Sequence, residues 1–541
     1  MKPDVRPLAK LPPSGSPEKS SAETLADRIS GWLIYAMLVF SPWAFGTTQA
    51  WSIRSMNFAG YALGALLLAK WLARFRDTRS ESSPLTTSRW FDRCLGGLTI
   101  LILLYCGVAA GNARATYSYA EGTFTYHEFI GWLPHTYDST RSWSLFWNYL
   151  ALACSFWAVR NWLQNDTPRR DALRKSLTQS LNEPSSWRHD LRESPNPASV
   201  ASLAGEDVEG LAERVPPGET SRSDSRTENP LFSRRWKRLL WVISINGALL
   251  ALEGILQRVD NTSKLLWLVE PRINKDAASQ FGPYAYRSNG AQLLNLIWPM
   301  AVGLWWALQR SVERSKRKHT THHLLLPGAM LMAAGAIISL SRGGVVVAVA
   351  GVCASLLVIM MANRRGSLKA KFGIAVLGCA TLGLAAYVNW NELMERFATA
   401  ATDGMSGRFR LFDIAKRIFA DYPVFGTGPN TFDPVSQFYR QSPDEYWAVQ
   451  VHNDWLETLA TFGSVGSSLI WLALLLVLIR PLFAFDGIRS RWAFVAFLWI
   501  SLGGCLVFAL VDFPFQVYSI LFLFLVLCAV LSVITIRKSP S

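Results

Sequence analysis

The sequence predicts an all-α polytopic membrane protein of about twelve transmembrane helices with one long structured loop, and three observations predict it. Half of the 541 residues are apolar and 17% are charged, against about 25% charged in soluble domains. The apolar residues gather into runs near the roughly 20 residues that a bilayer crossing needs. Between the runs lie short segments dense in Lys and Arg, and one long polar insert. An ordinary soluble enzyme does not have this layout. The formal net charge of +15 would suggest nucleic acid in a soluble protein, so the placement of the charges decides what it means.

Residues 1–30 form a polar cytoplasmic tail. No small-residue cleavage pattern follows the first apolar run, so 31–46 reads as a retained helix. Runs at 55–73, 94–111 and 144–163 complete a first group of four spans over 31–163. Residues 164–238 are rich in Ser, Pro, Glu and Arg, with 13 basic and 12 acidic residues. Such a stretch buries too little apolar area to fold and reads as a disordered cytoplasmic insert, a candidate docking segment for a cytoplasmic partner. Spans at 239–256, 290–309, 324–340, 343–363 and 372–389 occupy 239–389. The patterned segment 390–463 follows, and then spans at 464–484, 493–511 and 516–536 fill 464–536 ahead of a 537–541 tail. The seven cysteines fall in or beside spans without a CxxC pair, as small packing residues do.

Twelve spans put both termini on one side. With that side cytoplasmic, the basic clusters at 70–93, 310–318, 364–371 and 480–491 all land inside, as the positive-inside rule requires. The outward segments sum to −2. The positive charge therefore reports orientation and contact with anionic membrane lipids, not nucleic acid.

In 390–463, the run SGRFRLFDIAKRIFADYP spaces Phe409, Phe412, Ile414, Ala415, Ile418 and Phe419 as on an amphipathic helix lying at the outer membrane surface. Pro423 ends it, Gly426, Gly428 and Pro429 make a turn, and VHNDWLETLATFG resumes a helix into the tenth span. Arginines stand at outward helix ends: Arg287 in FGPYAYRSNGA, Arg342 in LSRGG, and Arg408 opening the surface helix. Charge in or beside hydrocarbon is costly and generally marks function; the competing role is a snorkelling head group or a structural ion pair. Arg342 is the most telling, with Ser341, Gly343 and Gly344 alone between it and the apolar runs. Of the outward histidines, His127 and His135 read as surface or local packing residues. His452, beside Asn453 and Asp454, is either a base or a helix-start residue making local hydrogen bonds. The sequence has no HExxH, P-loop, GxSxG or outward carboxylate cluster with metal-ligand spacing, so metal hydrolase and nucleotide-dependent chemistry lack support. Neither a metal nor a cofactor is expected.

Five segments in order, FGPYAYRSNGA, LSRGG, SGRFRLFDIAKRIFADYPVFGTGPNTF, VHNDWLETLATFGSVG and VDFPFQ, together resemble the O-antigen ligase and polymerase superfamily of bacterial envelope glycosyltransferases. The resemblance covers roughly 281–516. It implies a GT-C-like helical architecture and a metal-independent transferase of the bacterial cytoplasmic membrane, active at the periplasmic face. Such an enzyme moves a glycan from an undecaprenyl-diphosphate carrier to an acceptor hydroxyl on lipid A core or a growing polysaccharide. Carried over by residue, it implies His452 as the base that takes or orients the acceptor proton, and Arg287, Arg342 and Arg408 as a diphosphate clamp. Asn453, Ser341, Gly343 and Asp512, in the same motifs, are expected to support them. The chemistry is consistent, because a departing diphosphate gathers negative charge that fixed cations must meet, and the arginine fork binds phosphate oxygens bidentately. The chain departs from many relatives where they carry Asn-Arg-Asn-His. Here the run is Tyr286, Arg287, Ser288 and Asn289, so only the arginine carries over, and Phe412 stands where relatives often have Trp.

Two other readings compete. A twelve-helix transporter or flippase of a lipid-linked glycan would carry more intramembrane acid than Glu253 alone, or repeated halves. A non-catalytic scaffold would act through 164–238.

Overall fold

The computed structural model describes residues 21–76, 86–165, 233–315, 321–362, 378–380, 383, 386–387, 390–398, 405–441, 449–483 and 492–534. Long helices dominate. They are α1 (Ser21–Trp43), α2 (Ala50–Arg76), α3 (Thr86–Gly111), α4 (Ser139–Gln164), α5 (Arg234–Asp260), α6 (Arg287–Ser315), α7 (Leu325–Ile338) and α8 (Arg342–Ala362). The shorter α9 (Trp390–Ala398), α10 (Met405–Asp421) and α11 (Phe432–Ser436) follow, then α12 (Asp454–Ile479), α13 (Trp492–Phe508) and α14 (Tyr518–Val533).

A helix stands at eleven of the twelve expected span positions; the ninth, 372–389, lies largely outside the described residues. Among the described residues seven helical stretches are long and apolar enough to cross a membrane, and α13 and α14 are apolar but shorter. The protein is thus a helical membrane protein. Helix takes up both ends of the insert expected at 164–238: Gln164 closes α4 and 234–238 open α5. Arg235 explains the second boundary, since it donates to the Trp162 carbonyl at 3.0 Å and pairs with Asp27 at 3.0 Å, holding the first turn of α5 against α1 and α4. Residues 166–232 lie outside the described residues, as do the two tails at 1–20 and 535–541.

The core centres on α6, which is buried along most of its length against α5, α7, α8 and α13. Lipid offers no hydrophobic drive for helices to associate, so close packing and interhelical hydrogen bonds must hold them. Asn57 bridges α2 to Asn148 of α4 (2.8 Å) and accepts from Tyr518 of α14 (2.9 Å), and Trp43 donates to Asn246 of α5 (2.7 Å). Pro299 interrupts the hydrogen-bond ladder of α6, and the Met300 N–H is taken up by Ser501 of α13 at 3.0 Å.

A second core lies apart from the first. Ile414, Ala415 and Ile418 of α10 pack with Phe432 and Val435 of α11, Val451, Ala460 of α12, and Ala115 and Tyr137. The apolar stripe of α10 was expected on the membrane surface; these three residues face protein instead, while Phe409 is exposed. One short hairpin accompanies the helices among the described residues. Strands β1 (Ala115–Ser118) and β2 (Thr123–Tyr126) form an antiparallel hairpin with Tyr117 opposite Phe124, turned at Gly122. Alternating Tyr, Thr and Phe around a Gly turn favour that pairing.

Helix α12 is broken at Gly463, where φ is +59°. The break frees the Ala460 and Thr461 carbonyls, which accept from Thr427 N (3.1 Å) and Gly428 N (2.9 Å). It also frees Ser464 N and Val465 N, which donate to the carbonyls of Pro423 (2.8 Å) and Val424 (3.1 Å). A Cβ at Gly463 would meet the Val424 carbonyl oxygen at 2.4 Å, so glycine is required on both counts. The first half of α12 thereby belongs to the second core and its remainder to the helical bundle.

Candidate functional site

The site forms at the start of α12. Asn453 caps the helix, its Oδ1 accepting from Leu456 N at 3.0 Å, and Glu457 reaches back to accept from Val451 N at 2.9 Å. Asp454 is tied to the turn between α13 and α14: its N–H donates to the Ala509 carbonyl (2.9 Å), and its carboxylate accepts from Phe515 N (2.8 Å). Between these anchors His452 is held in the left-handed region, φ +57°. For a residue other than glycine that conformation costs on the order of 1–3 kcal/mol and persists where neighbours over-determine it. Its consequence is contact across the gap to the next motif: His452 Nδ1 lies 3.2 Å from Asp512 Oδ1. An ionised carboxylate accepts only, so Nδ1 is the donor in this contact, and in the neutral imidazole that leaves the lone pair on Nε2.

Asp512 is nearly inaccessible and gathers further donors. Phe513 N donates to Oδ1 at 3.1 Å and the Tyr286 hydroxyl to Oδ2 at 3.3 Å. The Tyr286 ring lies parallel to Phe513, 5.5 Å apart, and Phe513 meets the His452 ring edge-on at 4.8 Å. Arg408, in the first turn of α10, enters the same cluster. It donates to the Val511 carbonyl at 2.6 Å and to the Tyr286 hydroxyl at 3.4 Å, and stands 4.0 Å from Asp512 Oδ2.

Arg287 and Arg342 each open a helix, α6 and α8. The positive end of a helix and its unpaired N–H groups favour anions. Ser288 and Ser341 join the two first turns, Oγ to Oγ at 2.7 Å, and Ser341 Oγ also accepts from Gly344 N at 3.2 Å. The LSRGG motif permits this approach, because a Cβ at Gly344 would stand 2.6 Å from that of Ala291 on α6 and one at Gly343 would stand 3.0 Å from the Phe508 ring. Arg287 donates to the Ala278 carbonyl at 2.6 Å. The Ser279 hydroxyl, with the Arg287 charge contributing, holds the Asp276 carboxyl below its usual range.

The structure thus brings His452, Asp512 and Arg408 into one cluster, leaves Asn453 next to it as the helix cap, and links the Arg287 and Arg342 segments through Ser288 and Ser341. Sequence reasoning missed Tyr286 and Arg258. Arg258, in the last turn of α5, donates to the carbonyls of Ala277 (3.1 Å), Ala278 (3.2 Å) and Ser339 (3.1 Å), strapping the segment before Arg287 to the segment before Arg342. It also missed Asp433, which accepts from Arg141 at 2.5 Å and from Tyr119 at 3.2 Å beside the hairpin. A signal for Tyr286 was its place next to Arg287; nothing local marks Arg258 or Asp433. His127 contacts Thr116 (3.0 Å), and His135 lies against Phe129 and the Leu133 carbonyl with its pKa lowered by burial, both local roles. Among the described residues no group of three or more His, Cys, Asp or Glu side chains is disposed to hold a metal ion.

Comparison with curated proteins finds no match. Residues 327–472 match the family model described as O-antigen ligase. That segment runs from α7 into α12 and includes Arg342, Arg408 and His452, while Arg287 and Asp512 flank it. The match agrees with the five motifs, and over 327–472 the chain is similar to that family.

Proposed function

We propose that the protein is a metal-independent glycan ligase or polymerase of the bacterial cytoplasmic membrane, with both termini cytoplasmic and the 390–463 loop periplasmic. Its donor is a glycan on undecaprenyl diphosphate, and its acceptor a hydroxyl of lipid A core or of a growing polysaccharide. His452 Nε2 takes the acceptor proton as the acceptor oxygen bonds to the anomeric carbon of the donor sugar. The bond from that carbon to phosphate breaks, its electron pair leaves with the lipid diphosphate, and Asp512 stabilises the imidazolium through Nδ1. Arg287, Arg342 and Arg408, with the first turns of α6 and α8, meet the charge on the departing diphosphate.

The observation that supports this reading best is the His452–Asp512 contact at 3.2 Å with Arg408 beside it, three residues from three separate family motifs. His452→Ala is expected to lower transfer by roughly 10²–10⁴-fold and Arg342→Ala by roughly 10²-fold, with membrane insertion intact. Purified protein, lipid-linked donor and acceptor in detergent provide the assay. Full activity in both variants would sink the assignment, and movement of donor across liposomes without product would favour a flippase.

A further inference from the structure

His452 precedes α12 and Arg480 follows it, at the other end of the bundle. Two buried clusters stand at that end, each made of two cations, one aspartate and one aromatic ring. In the first, Asp27 of α1 takes both Lys70 of α2 (2.8 Å) and Arg235 of α5 (3.0 Å), and Arg235 lies over the Trp162 ring at 5.3 Å. Both cations there have a carboxylate. In the second, Asp92 of α3 pairs with Arg160 of α4, whose Nε donates to Ser532 of α14 at 3.1 Å. Arg160 and Arg480 lie over one ring, that of Phe91, at 5.6 and 4.8 Å. Arg480 is 7% exposed, yet among the described residues it makes no ion pair or hydrogen bond. Of its three nitrogens only Nε is sealed from solvent, so the terminal pair is what a ligand can reach. A guanidinium so enclosed loses most of its hydration, and a ring face worth about 0.5–2 kcal/mol does not replace it. As the C-cap of α12 it meets only the partial negative charge of the helix end. Its fork suits a phosphate. The flanks say which phosphate: Trp90 beside Phe91, and Leu482 and Phe483 after Arg480, are all exposed, an apolar and aromatic border that suits the headgroup level of a bilayer.

We propose that Arg480, backed by Phe91 and sharing that ring with Arg160, binds the phosphate of an acidic phospholipid in the leaflet at the end of the bundle away from His452. The site is independent of the transferase reading.

Delipidated full-length protein in neutral detergent, titrated with phosphatidylglycerol and followed by native mass spectrometry, tests it. The first phosphatidylglycerol is expected to bind about tenfold more tightly than phosphatidylcholine, and Arg480→Gln to weaken it about tenfold. Arg310→Gln removes a charge at the same end from a guanidinium already bonded to the Ala362 carbonyl, and is expected to change affinity by less than about twofold. Asp92→Asn removes the carboxylate that competes with the phosphate and is expected to tighten binding about threefold, an arm that does not need the Arg480 variant to fold. Equal binding by wild type and Arg480→Gln, or equal losses in Arg480→Gln and Arg310→Gln, would overturn the site in favour of diffuse attraction. Weaker binding by Asp92→Asn would overturn it as well. Displacement of the bound lipid by inorganic phosphate at equal concentration would overturn the lipid as ligand. A thermal midpoint lowered equally by Arg480→Gln with and without phosphatidylglycerol would reduce Arg480 to a cation that serves the helix end alone.

Discussion

Asp433 and Asp512 each have one arginine and one tyrosine for company, at almost the same depth. The carboxylates are 6% and 3% exposed, and their arginines, Arg141 and Arg408, are 27% and 28% exposed. Yet the two sites are wired differently. Arg141 meets Asp433 at 2.5 Å with its guanidinium over the Tyr119 ring, so the tyrosine supports a closed ion pair. Arg408 stands 4.0 Å from Asp512 with the Tyr286 hydroxyl bonded to both from one side, and a histidine takes the other carboxylate oxygen. Identical residue types at nearly equal burial thus make a close ion pair in one place and a looser one, shared with a histidine, in the other. In the first the phenol ring lies under the guanidinium, and in the second the phenol hydroxyl bonds to it.

The largest expected divergence is in the carboxylates themselves. Asp512→Asn is expected to lower kcat by roughly 10³-fold, because an amide nitrogen facing Nδ1 favours the tautomer that protonates Nε2. Asp433→Asn is expected to leave kcat of the folded protein within about twofold, since Asp433 has no histidine to orient. Initial rates at saturating donor and acceptor decide the matter. Equal losses in the two variants would erase the distinction between the sites.

The comparison also shows what the chain discloses before it folds. The span positions, the α10 helix and the restart of helix at 454 follow from hydropathy, periodicity and turn residues that act over a few positions. The meeting of His452 with Asp512 does not, because it joins residues 60 apart through the Ala509 and Phe515 backbone contacts of Asp454. Arg141 and Asp433 are separated by 292 positions, and neither carries a local mark of its partner. The hairpin escaped notice because its strands are four residues long, too short for alternation to stand out among helices. Tyr286 was misread for a different reason. Compared with relatives it looked like a lost motif residue, and its hydroxyl gains meaning only once Arg408 and Asp512 are seen bonded to it.

A smaller divergence is expected between the arginines. Arg408→Ala is expected to raise the donor KM by about 10–100-fold, with a thermal midpoint in detergent near that of wild type. Arg141→Ala leaves Asp433 buried without its cation and is expected to cost about 2 kcal/mol of stability, below the 3–5 kcal/mol of a fully buried pair because Arg141 is partly in solvent. Donor KM should not move. A stability loss at Arg408 matching that at Arg141 would make both pairs structural.

The smallest effect is expected from Tyr119→Phe. The ring remains beneath Arg141, and one hydrogen bond to Asp433 at 3.2 Å is lost. Because Arg141 still satisfies the carboxylate, the cost should be about 1 kcal/mol, the worth of one partly buried hydrogen bond, with donor KM and kcat both unchanged. Burial chiefly raises the ionisation of the Tyr119 phenol, so the substitution removes no charge. A shift in donor KM from Tyr119→Phe would mean that the substrate reaches as far as the hairpin, and the division between the two aspartate sites would have to be redrawn.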